Sequence, residues 1–172
     1  MKHHSLALPI VLVFLSLFVL CFKEPAARAD GNSSATGDFV RAATVGTAHV
    51  TFNCIVHKDG SVTGSTYVEN LSDGRIFYIV VDEVLFSADG TTAYVGGTCE
   101  FDTFGLFTGF RTAAAFSDLG EGQPETDRTS YQYFSDDPGF SVLDPALAPF
   151  LAGITGELSV LSGNIQVRPH SP

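Results

Sequence analysis

The sequence predicts an all-β domain, either an antiparallel β-sandwich or a flattened β-barrel of about eight strands. Three observations predict it. Apolar and polar residues alternate with a period of two through much of residues 46–170. Asp-Gly turn signals recur at short intervals between the alternating runs. No window sustains the period of an amphipathic helix.

The chain has 172 residues, which suits one ordinary domain, and its start is unlike the rest. Met1-Lys2-His3-His4 is basic, Ser5 to Phe22 is almost wholly apolar, and Ala27-Arg28-Ala29 supplies the small residues of a cleavage site before Asp30. That order reads as a signal peptide over residues 1–29. It implies a secreted or periplasmic protein with no membrane span once the leader is removed. Two other readings fit the same segment. The apolar run, about 18 residues long, lies at the lower edge of bilayer-spanning length and would serve as a retained anchor, although Pro9 interrupts it. Lipid attachment at Cys21 is the other, and Leu20 is larger than the residue such a junction takes.

Residues 30–45 are rich in Gly, Ser, Ala and Thr and read as a flexible lead-in, with a first strand at Asp38–Ala43. From residue 46 to 170 the pattern is that of a single β domain. Thr47 to His57 alternates cleanly, with Val50, Phe52, Cys54 and Val56 on one row. Lys58-Asp59-Gly60 turns the chain into a return strand, Ser61 to Asn70, and Ser72-Asp73-Gly74 turns it again. Arg75 to Ser87 is apolar on both rows, the mark of a strand covered on both faces. After Ala88-Asp89-Gly90, the strand Thr91 to Phe101 carries Ala93, Val95, Cys99 and Phe101 on one row. Phe104 to Phe116 reads as a long strand, with Gly105 and Gly109 marking a bend. Asp118 to Asp127 is a polar loop, Arg128 to Phe134 a short aromatic strand, and Ser135 to Pro149 a loop with one helical turn around Ala146–Leu151. In the last strands, Ile154 to Arg168, the apolar row changes phase at Ser162-Gly163, which predicts a β-bulge or turn.

The formal net charge is −10. The leader holds three of the nine basic residues and one of the nineteen acidic ones, which leaves six against eighteen and a charge near −12. A surface this negative repels nucleic acid and anionic lipid. The partners it leaves are cations, neutral surfaces, a small apolar ligand or a second copy of the chain. Cys54 and Cys99 both point inward and are expected to form a disulfide in an oxidising compartment. Such a bridge would close a loop of about 45 residues and stabilise the fold by ~4 kcal/mol in the chain-entropy picture.

Four carboxylates, Asp118, Glu121, Glu125 and Asp127, crowd one glycine-containing loop. Calcium takes several oxygen ligands from such loops, so this is the candidate metal site, although the spacing is not that of an EF-hand; a solvated acidic loop is the alternative. No other cofactor is expected. Asp82 and Glu83 lie in the most apolar strand and are the catalytic candidates. As strand neighbours they would face opposite ways, so each would need a partner carboxylate from another strand. The alternative is that one pairs with Arg111 or Arg75 while the other meets water. His49 and His57 share a row with Asn53 but stand about 26 Å apart along the strand, too far to share a metal. There is no G-x-S-x-G elbow. Phenylalanines at 52, 77, 86, 101, 104, 107, 110 and 116 would either pack a core or line a barrel that holds an apolar ligand. Asn32-Ser33-Ser34 and Asn70-Leu71-Ser72 match glycosylation sequons.

Gly60-Ser61-Val62-Thr63-Gly64, Asp73-Gly74-Arg75-Ile76-Phe77 and Thr92-Ala93-Tyr94-Val95-Gly96-Gly97-Thr98 form a pattern over most of residues 46–168. Asp118-Leu119-Gly120-Glu121 with Asp127, and the closing Gly163-Asn164-Ile165-Gln166-Val167, belong to it. The pattern, largely of turn glycines, resembles uncharacterised secreted bacterial all-β domain proteins. The resemblance implies fold and export and assigns no catalytic residue. The leading functional expectation is a non-enzymatic exported domain with a binding or structural role. The alternatives are a barrel that carries a small hydrophobic ligand, and a hydrolase or isomerase using Asp82 or Glu83.

Overall fold

The computed structural model describes residues 31–120 and 127–170. The expected leader, its cleavage point before Asp30, and Glu121 and Glu125 lie outside the described residues. The strands are β1 Ser33–Ala42, β2 Thr47–Val56, β3 Val62–Asn70, β4 Ile76–Phe86, β5 Thr92–Asp102, β6 Arg111–Ser117, β7 Arg128–Thr129, β8 Tyr133–Ser135 and β9 Leu158–Arg168. A 3-10 turn, Pro145–Leu147, leads into one short helix, α1 Ala148–Ile154. The sheet runs β5-β4-β3-β2-β1-β9-β7-β6-β8, and β6 also pairs with β5. Eight antiparallel strands therefore close into a barrel, with β8 as an extra strand beside β6. Among the described residues no helix is long and apolar enough to cross a membrane.

Three hairpin turns share one device. The carboxylates of Asp59, Asp73 and Asp89 each accept a hydrogen bond from the backbone N–H two residues on, at 2.9, 2.9 and 3.1 Å. The following glycines take the left-handed conformation, with φ of 85°, 70° and 73° at Gly60, Gly74 and Gly90. These are the Asp-Gly turns that the sequence predicts.

The stretch expected as a flexible lead-in is instead part of the wall. β1 pairs with β2 along its whole length and with β9 on its other side, so it links β2 to the last long strand. Its composition misleads because one inward position is small by necessity. A Cβ on Gly37 would lie 2.4 Å from a ring carbon of Phe52, so this glycine makes room for the core aromatic.

Three further expectations are corrected. The register of β4 on β5 shifts between Val81 and Glu83, which moves the inward row from Phe77, Ile79 and Val81 to Val84 and Phe86. The outer row of β4 is not covered: Tyr78, Val80 and Leu85 are exposed. A second shift, between Tyr78 and Ile79, turns Phe101 outward and Asp102 inward. Residues 103–110 form turns rather than a strand; Gly105 and Gly109 have φ of 69° and 87°, and Phe104 and Leu106 are exposed. The phase change expected at Ser162-Gly163 is present: β9 is out of step with β1 between Val40 and Arg41, and Gly163 has φ 97°.

Closure of the barrel is narrow on one side. β7 contributes two residue pairs to β6 and two to β9. Two carboxylates extend the seam. Asp127 accepts the N–H groups of Leu119 at 3.1 Å and Ile165 at 2.7 Å, and Asp118 accepts those of Gly120 at 2.9 Å and Val167 at 3.1 Å. These side chains occupy N–H positions of β9 that a longer neighbouring strand would fill.

Phe39, Phe52 and Phe116 fill the middle of the barrel. Phe52 and Phe116 stack at 3.9 Å, and Phe39 meets them edge-on at 6.3 and 6.1 Å. Burial of each such side chain contributes about 1.5–3 kcal/mol. A second cluster lies outside the wall, where Leu151 and Ile154 of α1 and Val142 cover Ala113 and Ala115 of β6.

The expected disulfide is absent, and Cys54 and Cys99 are free, buried thiols. Both face inward as predicted, but β3 and β4 stand between their strands. That is about 14 Å of wall, against the ~7 Å that a disulfide tolerates between Cα atoms. Each S–H instead donates to a nearby carbonyl, Cys54 to Ala35 and Cys99 to Phe101, both at 3.3 Å. Burial pushes both thiols up, Cys54 to about 11.

Candidate functional site

Register places the site. Arg41 of β1 sits opposite Ala48 of β2, and Ala48 opposite Asn70 of β3. One step deeper, Val68 of β3 faces Phe77 of β4, and Phe77 faces Asp102 of β5. All lie on inward rows at the same end of the barrel. The phenylalanine cluster stops short of that end, and a cavity of about 420 Å³ opens there. Its walls are Arg41, Ala48, Val68, Asn70 and Phe77 from the barrel, with Arg75, Phe107, Tyr131 and Phe134 above them. The volume falls within the range of small-molecule pockets.

The two ends of the barrel differ in chemistry. The loops around the mouth, which follow β1, β3 and β5, expose Val45, Leu71, Phe104 and Leu106. At the other end the β2–β3 and β4–β5 turns are Lys58-Asp59-Gly60 and Ala88-Asp89-Gly90. Among the described residues, exposed apolar side chains ring a cavity at the mouth, the arrangement expected of a binding surface.

One wall is built on Asp102. Its buried carboxylate accepts Arg75 Nε at 3.0 Å and Nη2 at 2.7 Å, together with the backbone N–H groups of Phe104, Leu106 and Phe107 at 3.1, 2.9 and 3.1 Å. The Arg75 guanidinium beside it, helped by those amides, holds the carboxyl down at about 2. Asp102 thereby wraps the loop after β5 around itself and sets Phe107. Phe107 stacks on Phe134 at 4.4 Å, and Phe77 lies 5.0 Å from Phe134. Arg75 sits over the rings of Phe77, Phe107 and Phe104 at 4.6, 5.0 and 5.1 Å. Its charge is met by Asp102 and its faces by aromatic rings.

Arg41 is a different case. It is 5% exposed and has no ion pair among the described residues. Its Nη1 donates to the carbonyl of Ala42 at 2.8 Å, and its guanidinium lies 5.6 Å from the centre of the Tyr131 ring. Burial lowers its pKa, partly offset by Tyr131 and by the charge of Glu157. Glu157 gives its own oxygens to others, accepting Tyr133 Oη at 2.5 Å and the Tyr131 N–H at 3.3 Å. Arginine keeps its charge in such settings.

The chain matches no protein-family model, no curated protein and no solved structure.

The residues singled out in the sequence lie elsewhere. Asp82 and Glu83 do not face opposite ways. The bulge at this point of β4 turns both outward, and one guanidinium takes both: Arg111 Nη1 and Nη2 donate to Asp82 at 2.6 and 2.9 Å, and Nη2 lies 3.0 Å from Glu83 Oε1. Glu83 Oε2 also accepts Ser141 Oγ at 2.8 Å and the Val142 N–H at 2.9 Å, while Arg111 Nε donates to the Phe140 carbonyl at 3.2 Å. The cluster pins the segment before α1 against the outer wall.

Of the calcium candidates, Asp118 and Asp127 have their carboxylates on backbone N–H groups of the seam, and Glu121 and Glu125 lie outside the described residues. Among the described residues no three His, Cys, Asp or Glu side chains gather closely enough to hold a metal ion. His49 Nε2 meets Asp38 at 2.5 Å and His57 Nε2 meets Thr63 at 2.9 Å, each on the outer surface. Sequence reasoning misses Arg41 and Arg75 as mouth residues. The available signal was the inward row Ala35, Gly37, Phe39, Arg41, a strand pattern that ends on a charge.

Proposed function

We propose that this protein binds a small, largely apolar molecule in the mouth of its barrel and carries or presents it without a chemical step. The observation that carries the reading is the cavity of about 420 Å³ at one end of an otherwise filled barrel. Its aromatic wall and the exposed apolar rim of Val45, Leu71, Phe104 and Leu106 support it. The leader read over residues 1–29 supports an extracellular or periplasmic setting.

The test uses N-phenyl-1-naphthylamine, a neutral aromatic probe that brightens on leaving water. Wild type should enhance its emission saturably. Val68→Trp, which fills the cavity from its wall, should abolish the enhancement while keeping the wild-type far-ultraviolet spectrum. No saturable enhancement with wild type, or full enhancement with a folded Val68→Trp variant, would overturn the reading.

A further inference from the structure

We infer that the molecule held in the mouth carries a single carboxylate, bound by Arg41, on a flat apolar body that lies against Phe77, Phe107 and Phe134. The inference rests on the binding reading above and names the ligand class for the same cavity.

Arg41 carries it. A guanidinium removed from water is costly unless it meets an anion or a full set of acceptors. This one has 5% of its surface exposed and a single hydrogen bond, to Ala42. Among the described residues no wholly buried side-chain nitrogen or oxygen lacks a partner. The unbonded Nε and Nη2 of Arg41 are therefore atoms that touch the open cavity, which Arg41 lines. Guanidinium N–H groups side by side match the two oxygens of a carboxylate.

The other charges of the mouth limit the choice. Arg75 is already matched by Asp102, so Arg41 is the mouth cation without an ion pair among the described residues; the charge of Glu157 reaches it, but the Glu157 oxygens are held by Tyr133 and Tyr131. Asp73 also lines the cavity, and the net charge of the chain is −10. A dianion such as a phosphate monoester would meet one cation inside a repelling field. A monoanion is balanced by Arg41 alone. Deeper and to the side, Ala48, Val68 and the three rings offer apolar contact, and the stacked Phe107 and Phe134 present flat faces. The site asks for an amphiphile with a compact head.

The experiment compares two nearly isosteric probes, 2-naphthoate and 2-naphthamide, by titration followed in amide NMR spectra of the full chain. Wild type should bind the carboxylate about tenfold to a hundredfold more tightly, the range of a charge-assisted hydrogen bond, and the preference should shrink as salt is added. Arg41→Gln should lose the preference, and any saturable binding of the amide by this variant reports an intact cavity. Arg41→Lys, which keeps the charge without the fork, should retain part of it. Equal wild-type affinities for the two probes, or an undiminished preference in Arg41→Gln, would overturn the inference and leave the binding reading standing. Failure of wild type to bind either probe would remove both.

Discussion

Asp102→Asn is the sharpest perturbation of the mouth. In the native protein, Asp102 Oδ1 takes Arg75 Nε and the Phe104 N–H, and Oδ2 takes Arg75 Nη2 and the N–H groups of Leu106 and Phe107. An amide has one accepting oxygen. Whichever way it turns, its nitrogen points at two or three donors, one of them a guanidinium N–H. Losing such bonds around a buried group costs about 2–4 kcal/mol. The acid side gives a second readout. The folded carboxyl is held at about 2 against an ordinary 3.8, so it is depressed on folding. Its contribution is complete above the unfolded value and is lost as pH falls from about 4 towards 2. Nearly two units would correspond to about 2 kcal/mol, and to about 1–2 kcal/mol once screening at the mouth is counted. Urea unfolding of wild type and variant, followed by circular dichroism at pH 6 and pH 2, measures both. The variant should be weaker by about 2–4 kcal/mol at pH 6, and the gap should narrow by about 1–2 kcal/mol at pH 2. A gap under about 1 kcal/mol at pH 6, or one that does not move with pH, would refute the reasoning.

Three other outcomes follow from the same geometry. Asp127→Ala strips acceptors from the N–H groups of Leu119 and Ile165 and should destabilise the barrel by about 2–3 kcal/mol, with faster hydrogen exchange at Ile165; unchanged exchange there would show the seam does not depend on it. Phe116→Ala removes a ring stacked on Phe52 and should cost about 3–5 kcal/mol in urea unfolding, whereas a loss below about 2 kcal/mol would mean the core collapses around the gap. Peptides bearing Cys54 and Cys99 should both be alkylated in denaturant without reductant and neither in the native protein, and protection of the pair in denaturant would restore the disulfide.

Much of the barrel was legible before the structure. Asp59, Asp73 and Asp89, each followed by glycine, declared three hairpins, and Val50, Phe52 and Cys54 declared which face of β2 is buried. The losses have local causes. The stretch that forms β1 reads as slack because it is rich in Gly, Ser, Ala and Thr, yet Gly37 is small to admit Phe52. The bulge at Asp82-Glu83 left no trace, since residues on both rows of β4 are apolar and a change of phase is invisible. Phe104 and Leu106 were assigned to a strand for their hydrophobicity, although they decorate a loop. Arg41 escaped notice because one arginine in a polar stretch looks like a solvated side chain. Its strand pairs with β9, more than a hundred positions away in sequence, so the inward row that ends on Arg41 does not by itself reveal how deeply the side chain is buried.

The pairing of β1 with β9 settles where an attachment would stand. Ser34 lies opposite Arg168, and the His170 N–H donates to Ser33 Oγ at 2.9 Å, so the first and last described strands start and finish side by side. They do so at the start of β1, whereas the cavity opens at its other end, beside Arg41. A tether or fused domain joined next to Ser33 or His170 would root the barrel by its base and leave the opening facing away from the anchor.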